Sequence, residues 1–506
     1  MQEKKLKKVF IILLFAHSVI FSKTGHTQEM LGVTLGNYSG VASLMVNPAM
    51  LANTRYYLDI NLASADFFFR NNFAYIPASD ASIYSIIRNT DNLPTYGPDD
   101  LNFTYYDNKR LKFNTLSTKV LGPSVMLQYG KHAFALSTGA QLFTSANRIP
   151  YEMPLFGYFG MDEPSLHNIN YIDYNIDANV AAWMNVGGSY AYTVYEYLDQ
   201  KITFGGTVRY IWSYAGAYME SSNVNYIVLN DSTINIKNLN GVGGFALPID
   251  YSTSDQMVND PFFKGHGFGV DLGVVYVKKK NIDLDRWDEL CEQEFDDYIF
   301  RIGVSVLDLG TMTYKSNAEL HSFDDVSVYW ESYDTTGYTS INQLMGDLSG
   351  LFYNGDRNAS YRGNKIKIGL PAAVSVQVDY NIYKNFYASA FWIHPIRFNM
   401  HTMRRPAQVA LVPRYESKYF EFSLPISVYE YRFARVGLSA RFWFLTIGTE
   451  RLGTWLGLAN LDGLDIYASI KFGFGKGFCR SKFKGACNED SYKKKKRSKI
   501  NKNLVF

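Results

Sequence analysis

The chain has 506 residues, 47% hydrophobic and 16% aromatic, with 39 Tyr and 35 Phe against 15 Pro, 3 Cys and 19% charged residues. That composition excludes a disordered chain and a disulfide scaffold. Mean hydropathy is −0.15 and the single strongly apolar run is Val9 to Phe21, which excludes helical membrane spans beyond the first few dozen positions. The net charge of +3 is a sum of unlike parts, +4 over residues 1–27, −10 over the body and +9 over residues 476–506.

In chain order, basic Lys4 to Lys8, apolar Val9 to Phe21 and polar Ser22 to Gln28 read as a secretory signal over residues 1–27. Residues 28–54 lie between the signal and the first expected strand. From residue 55 to 475 the chain is dominated by period-2 alternation, the pattern of a half-buried strand. Ile202 to Tyr214 puts Phe204, Val208, Tyr210 and Trp212 on one face and Thr203, Thr207, Arg209 and Ser213 on the other. The same alternation runs through Phe268 to Tyr276, Phe420 to Val428, Arg435 to Phe442 and Asp465 to Phe474.

A soluble sandwich alternates too, so strand length and aromatic placement decide. The stretches run ~10 to 14 residues, enough for a tilted strand to cross a bilayer. Tyr210, Trp212, Tyr214, Tyr276 and Tyr429 stand toward their ends, as in interfacial girdles. Short connections (Gly130 to His132, Glu196 to Gln200, Asn381 to Asn385, Tyr429 to Phe433, with Lys279 to Asp297 longer) alternate with long polar ones. The long ones are Asn71 to Leu116, Asn147 to Ile176, Gly216 to Gly265, Tyr314 to Gly363, Pro395 to Ser417 and Thr449 to Gly463. The fold expected is an all-β, antiparallel, transmembrane outer-membrane β-barrel of about 12 strands, or 14 if a long segment hides a hairpin, with long extracellular loops.

The stretch G-V-A-S-L-M-V-N-P-A-M-L-A, Gly40 to Ala52, resembles the segment before the first strand in the long-chain fatty-acid transport porins and in the outer-membrane shuttle protein of type IX secretion. The resemblance implies that residues 28–54 are a plug-like segment, with Asn47, Pro48 and Ala49 as its motif, that packs inside or beneath the barrel. By local chemistry alone the same three residues read as a turn. Phe300 to Gly310, Leu370 to Tyr380 and Val412 to Pro425 look like an uncharacterised family of Gram-negative outer-membrane barrels, catalogued as a domain of unknown function. That resemblance implies fold and location and carries no activity.

The inward face of such a barrel holds Asp59, Arg209, Asp271, Arg301, Gln377, Asp379, Glu421, Arg441 and Lys471. Their mixed signs suggest interstrand pairing and a filled interior, with a solute path as the alternative. Small inward residues, Gly205, Gly269, Gly273, Gly303 and Gly437, leave room for a plug or a ligand. Gly122 with Pro123, Pro371 and Pro425 fall inside expected crossings, where each should mark a strand start, bulge or kink. A kink at Pro123 also suggests a sideways exit for hydrophobic substrates, by analogy with the fatty-acid porins.

No catalytic constellation, metal-ligand spacing or cofactor fingerprint is expected among the six His of the mature chain. The tail, residues 476–506, is basic and expected to be periplasmic. It holds Cys479 and Cys487, which together with Cys291 permit one bridge whose pairing the spacing does not decide. An exported tail argues against nucleic acid as a partner. Outer-membrane lipid is expected as a partner, as is the barrel-assembly machinery, whose terminal signal Asp465 to Phe474 resembles; Phe506 is a second candidate for that signal. The first functional reading is a transport-type, porin-like barrel in the cell outer membrane that passes or holds a small hydrophobic ligand. The rival is a non-transporting barrel serving an envelope or secretion complex as anchor or assembly partner.

Overall fold

The computed structural model describes residues 29–88, 93–97, 100–254, 256–280, 297–335, 337–398 and 401–475. The signal, the basic tail with Cys479 and Cys487, and Cys291 lie outside the described residues. Fourteen antiparallel strands make the wall. They are β1 (Leu58–Asn71), β2 (Lys112–Leu121, continued by Ser124–Tyr129), β3 (His132–Ile149), β4 (Ile176–Tyr197) and β5 (Gln200–Asn230). Next come β6 (Gly265–Lys279), β7 (Tyr298–Tyr314), β8 (Ile366–Gly369 and Ala373–Tyr383), β9 (Phe386–Pro395) and β10 (Gln408–Glu416). The last are β11 (Phe420–Ser423 and Ile426–Tyr429), β12 (Phe433–Val436 and Leu438–Phe442), β13 (Leu445–Thr449) and β14 (Gly463–Phe474). β1 pairs with β14 from Leu58↔Phe474 to Arg70↔Gly463, which closes the sheet and removes its edges.

The count of fourteen has two local causes. Gln408–Glu416, expected to lie within a loop, is a strand despite the central Pro413, whose carbonyl still accepts from Leu424 N (3.0 Å). The stretch after Phe433 is two strands, not one, because the chain reverses at Trp443, which takes a positive φ of 53°. As a result the Tyr429 to Phe433 turn lies at the long-loop end rather than with the other short turns, and Tyr429 points inward. It is 2% exposed and packs on Phe68, so it is no part of a girdle.

The alternation otherwise separates the two faces. Phe268 is 62% exposed and Val208 59% on the outside, while Thr203 and Asp271 are buried inside. Tyr129, Tyr197, Tyr383, Tyr419 and Trp443 stand exposed at the short-turn end. At the other end Trp392 Nε1 donates to the Tyr431 hydroxyl (2.9 Å), which also lies 2.7 Å from His394 Nδ1. These are two amphipathic belts of the kind that sit at membrane interfaces.

β5 runs 31 residues, about three times what a crossing needs. Beyond the wall its far half pairs with Thr233–Ala246, which pairs in turn with Ala318–Glu331, and the helix Ile341–Phe352 packs there through Phe323 and Phe352. A cap built on these strands therefore stands over the long-loop end. On the other edge of β5 lie Asn170–Asp173 and the helix Glu152–Phe159, joined by an apolar cluster around Phe156, Tyr226 and Val228.

Candidate functional site in a closed lumen

The plug-like segment enters the barrel. From Met30 to Asn53 every residue is buried except the partly exposed Tyr38. Its apolar side chains join three groups on the inner wall: Val41, Leu44 and Leu51 with Met126 and Tyr467; Leu31, Leu35 and Val46 with Phe391 and Val412; and Ala49 and Met50 with Val275 and Tyr298.

Asn47, Pro48 and Ala49 do more than turn the chain. Asn47 caps the short helix Pro48–Asn53, its Oδ1 accepting from Ala49 N (2.9 Å) and Pro48 occupying the first helical position, where no N–H is needed. The other end of the same amide donates to Gln377 Oε1 (3.0 Å) and approaches Val274 O (3.3 Å) on the wall. This contact needs a wall without side chains. A Cβ at Gly273 would lie 2.1 Å from Asn47 Oδ1, and one at Gly205 would lie 2.5 Å from Ala49 N. The room left by these two inward glycines is taken by the plug.

All nine inward-facing candidates project into the lumen; Arg441 stands over the ring of the plug residue Tyr38 at 4.5 Å, and four others hydrogen-bond the plug directly. Asp59 Oδ2 accepts from Val41 N (2.8 Å), Lys471 Nζ donates to Ser39 O (2.9 Å), Arg301 Nη1 donates to Asn53 O (2.9 Å), and Gln377 Nε2 donates to Val46 O (3.2 Å). Asp379 orients this set, accepting from Arg301 (3.0 Å) and from Arg414 (2.6 Å). Glu421 pairs with Arg441 at 3.0 Å. Arg414 and Glu416 complete the network, Glu416 receiving both Asn37 N (3.0 Å) and Asn37 Nδ2 (2.8 Å) from the plug. Alternation would have pointed to these two, but β10 was not expected as a strand.

Arg209 and Asp271 lie apart from the plug network, at mid-lumen. Arg209 Nη2 lies 2.6 Å from Asp271 Oδ1 and 2.8 Å from Asp308 Oδ1. Asp308 breaks the strand period. Val270↔Leu309 and Leu272↔Val306 leave an extra residue on β7, and Asp308 takes φ 56°, so both Leu307 and Asp308 turn inward. A strict period-2 reading sends Asp308 to the lipid.

A second segment closes the lumen from the long-loop end. Gly369 N donates to His401 O (3.0 Å) and Met403 N to Gly369 O (3.1 Å), a short parallel contact with β8. Pro371 follows directly. It separates the two halves of β8, which keep one register on β7 from Thr311↔Gly369 to Leu307↔Ala373, and residues 368–373 are all buried. The inserted stretch carries Arg405, whose Nε lies 2.9 Å from Glu29 Oε1 at the start of the plug and whose Nη1 lies 3.2 Å from Asp308 Oδ2. Plug and inserted segment therefore meet at one arginine.

Two cavities flank this meeting point, of ≈ 30 and ≈ 40 Å³, with Lys119, Gln141 and Asp308 in the lining of both. That is space for a few waters. On the long-loop side the lumen is apolar and packed, with Phe143, Trp183, Ile211, Met312, Tyr314 and Ile368 in one cluster.

The other proline candidates behave differently. At Gly122 and Pro123, three β2 residues oppose two of β3 between Leu121↔Gly139 and Val125↔Leu136. Asn61 Nδ2 bridges this bulge, donating to Leu121 O (3.1 Å) and Gly122 O (3.0 Å), while Gly122 N donates to Thr138 O (2.8 Å). Pro425 makes no kink. β11 and β12 stay in register from Ser423↔Ser439 to Ile426↔Val436, because the Pro425 carbonyl accepts from Gly437 N (2.7 Å). Among the described residues no group of three or more His, Cys, Asp and Glu is arranged to hold a metal ion.

Comparison with protein families matches residues 48–450 to the Family of unknown function (DUF5723). The chain belongs to this family. The match runs from Pro48, near the end of the plug, to Glu450, just after β13, so it takes in thirteen of the fourteen wall strands. No curated protein matches. Among solved structures the chain is similar to the TodX deltaS2S3 mutant monoaromatic hydrocarbon channel at 10% identity, TM-score 0.40, with 90% of this chain and 100% of that chain covered. It is also similar to a Pseudomonas aeruginosa FadL homologue at 13% identity, TM-score 0.39, covering 89% and 98%. The Pseudomonas putida toluene transporter TodX matches at 10% identity, TM-score 0.35, covering 88% and 96%.

Proposed function

We propose that this protein is an outer-membrane transport barrel in a closed state, with a small hydrophobic solute, oriented with its long loops and cap outside and its short turns in the periplasm. The observation that supports the reading is the manner of closure: two segments outside the wall, residues 29–53 and 401–407, fill the lumen and meet at the Arg405–Glu29 ion pair. Buried ion pairs add little net stability over apolar packing of the same volume. A permanent filling gains nothing from them, whereas a segment that must leave is well held by contacts that water can replace. The apolar cluster of Phe143, Trp183, Ile211 and Tyr314 on the long-loop side supports a hydrophobic solute. In this reading the protein is no enzyme and needs no cofactor, and its belts contact outer-membrane lipid.

The cavity sizes favour the rival, a non-transporting anchor or assembly barrel, since neither cavity admits a solute in the closed state. Uptake of a small aromatic fluorophore into proteoliposomes separates the two. The full chain with residues 401–406 deleted is expected to admit the probe several-fold faster than protein-free vesicles. Equal rates, with the barrel folded by heat-modifiable electrophoresis, overturn the transport reading in favour of the anchor.

A further inference from the structure

We infer that Arg405 is the latch between plug and inserted segment, and that Lys119 is the cation that replaces it when the latch opens. Three carboxylates meet at mid-lumen, Glu29 from the plug, Asp271 from β6 and Asp308 from the β7 bulge. Two arginines serve them. Arg209, on the wall, holds Asp271 and one oxygen of Asp308, and Arg405, on the inserted segment, holds the other oxygen of Asp308 and Glu29. Withdrawing the segment takes Arg405 with it and leaves a buried carboxylate short of a counter-charge, the costly way to break a buried ion pair.

Lys119 on β2 removes that obstacle. Its side chain lines both cavities, with Asp308 in the lining of each and Glu29 in the lining of one. The second oxygen of Glu29, in the lining of one of those cavities, is buried without a hydrogen-bond partner. An ammonium on a flexible four-carbon stem, beside water-sized space and within the same charge cluster, can move to Asp308 or Glu29 as Arg405 leaves. Lys119 brings the cations to three against three carboxylates, and the exchange keeps each acid beside a positive group in the open state. The inference rests on the transport reading, and it assigns Lys119 and Arg405 to positioning roles in gating.

Single-channel recording of the full-length protein in planar bilayers tests it, with heat-modifiable migration as the check of folding. Arg405→Gln, and independently Glu29→Gln, are expected to raise the open probability about tenfold or more over the wild type. Arg405→Lys, which keeps the charge, stays near the wild type. Adding Lys119→Met to Arg405→Gln is expected to return the open probability most of the way to the closed level. Folded Arg405→Gln and Glu29→Gln barrels as silent as the wild type, while deletion of 401–406 conducts, overturn the latch and leave the transport reading standing. Equal opening of Arg405→Gln with and without Lys119→Met overturns the exchange. No current from the 401–406 deletion overturns the transport reading and the latch together.

Discussion

At the residue scale, single side chains join two elements at once, and their removal leaves partners stranded. Asn47 caps a helix with one end of its amide and reaches the wall with the other. Asn47→Ala is expected to cost about 2 kcal/mol, from a lost cap and a stranded Gln377. The measure is the denaturant midpoint in detergent. Gly273→Leu is a sharper test of the close approach, because a Cβ there already overlaps Asn47. The plug should be expelled, so that limited proteolysis cuts within residues 29–53 while the barrel band survives. Unchanged protection would mean that the plug is held elsewhere.

At the scale of elements, bulges and reversals decide what faces inward. Pro123 sits in a bulge whose hydrogen bonds are made by the Asn61 side chain, by Gly122 and by the Pro123 carbonyl, which accepts from Thr138 Oγ1 (3.0 Å), and none of them needs the proline ring. Pro123→Val is therefore expected to change stability by less than about 1 kcal/mol, and Asn61→Ala to lower it by about 1–3 kcal/mol by stranding two carbonyls. Comparing their unfolding midpoints checks the order. Had the bend itself carried the strain, Pro123→Val would be the larger effect.

The outer loops carry a pH-dependent contact. Burial, then the neighbouring Asp173, pushes the Glu152 carboxyl from 4.5 up to about 7, and burial raises Asp173 as well. A carboxyl raised in the folded state stabilises while it is protonated. Its contribution is complete below pH 4.5 and lost as pH rises through about 7. The helix Glu152–Phe159 should thus loosen from the strand Asn170–Asp173 on going from acid to neutral pH. Hydrogen exchange of this helix is expected to accelerate between about pH 5 and pH 8 beyond the intrinsic rate, and Glu152→Gln should flatten that excess. An excess that survives in Glu152→Gln would assign the effect to another group.

Much of this scale was legible beforehand. Alternation placed Asp59, Arg301, Gln377, Asp379 and Lys471 inward because a wall with lipid on one side must repeat every two residues. It failed at Asp308, where one extra residue reverses the phase, and at Trp443, where Phe442, Trp443 and Phe444 carry none of the usual turn residues. Pro413 hid β10 for the opposite reason: a proline in mid-run argues against a strand, yet in a closed sheet its carbonyl remains useful.

At the scale of the molecule, the interior is a sealed joint between wall, plug and inserted segment. Deleting residues 29–53 removes partners from Asp59, Arg301, Gln377 and Lys471 together with three apolar contacts. Loss of several kcal/mol is expected, at about 1–3 kcal/mol for each stranded polar group. The barrel should then lose its folded, heat-modifiable band at a clearly lower temperature than the intact chain. An unchanged transition would make the plug a passenger.

Period-2 alternation, strand length and aromatic ends determined by themselves that the chain is a lipid-facing barrel, because each follows from local spacing against a bilayer of fixed thickness. The nine inward positions followed from the same period. What those positions touch was decided only by the tertiary structure. Gly273 receives Asn47 from 226 residues away, Lys471 holds Ser39 across 432, and Arg405 joins Glu29 to a bulge on a third element. Closure of the sheet brings together residues that no local spacing relates. Whether small and charged inward residues lined a passage or seated a plug was therefore settled by which segment folded in among them.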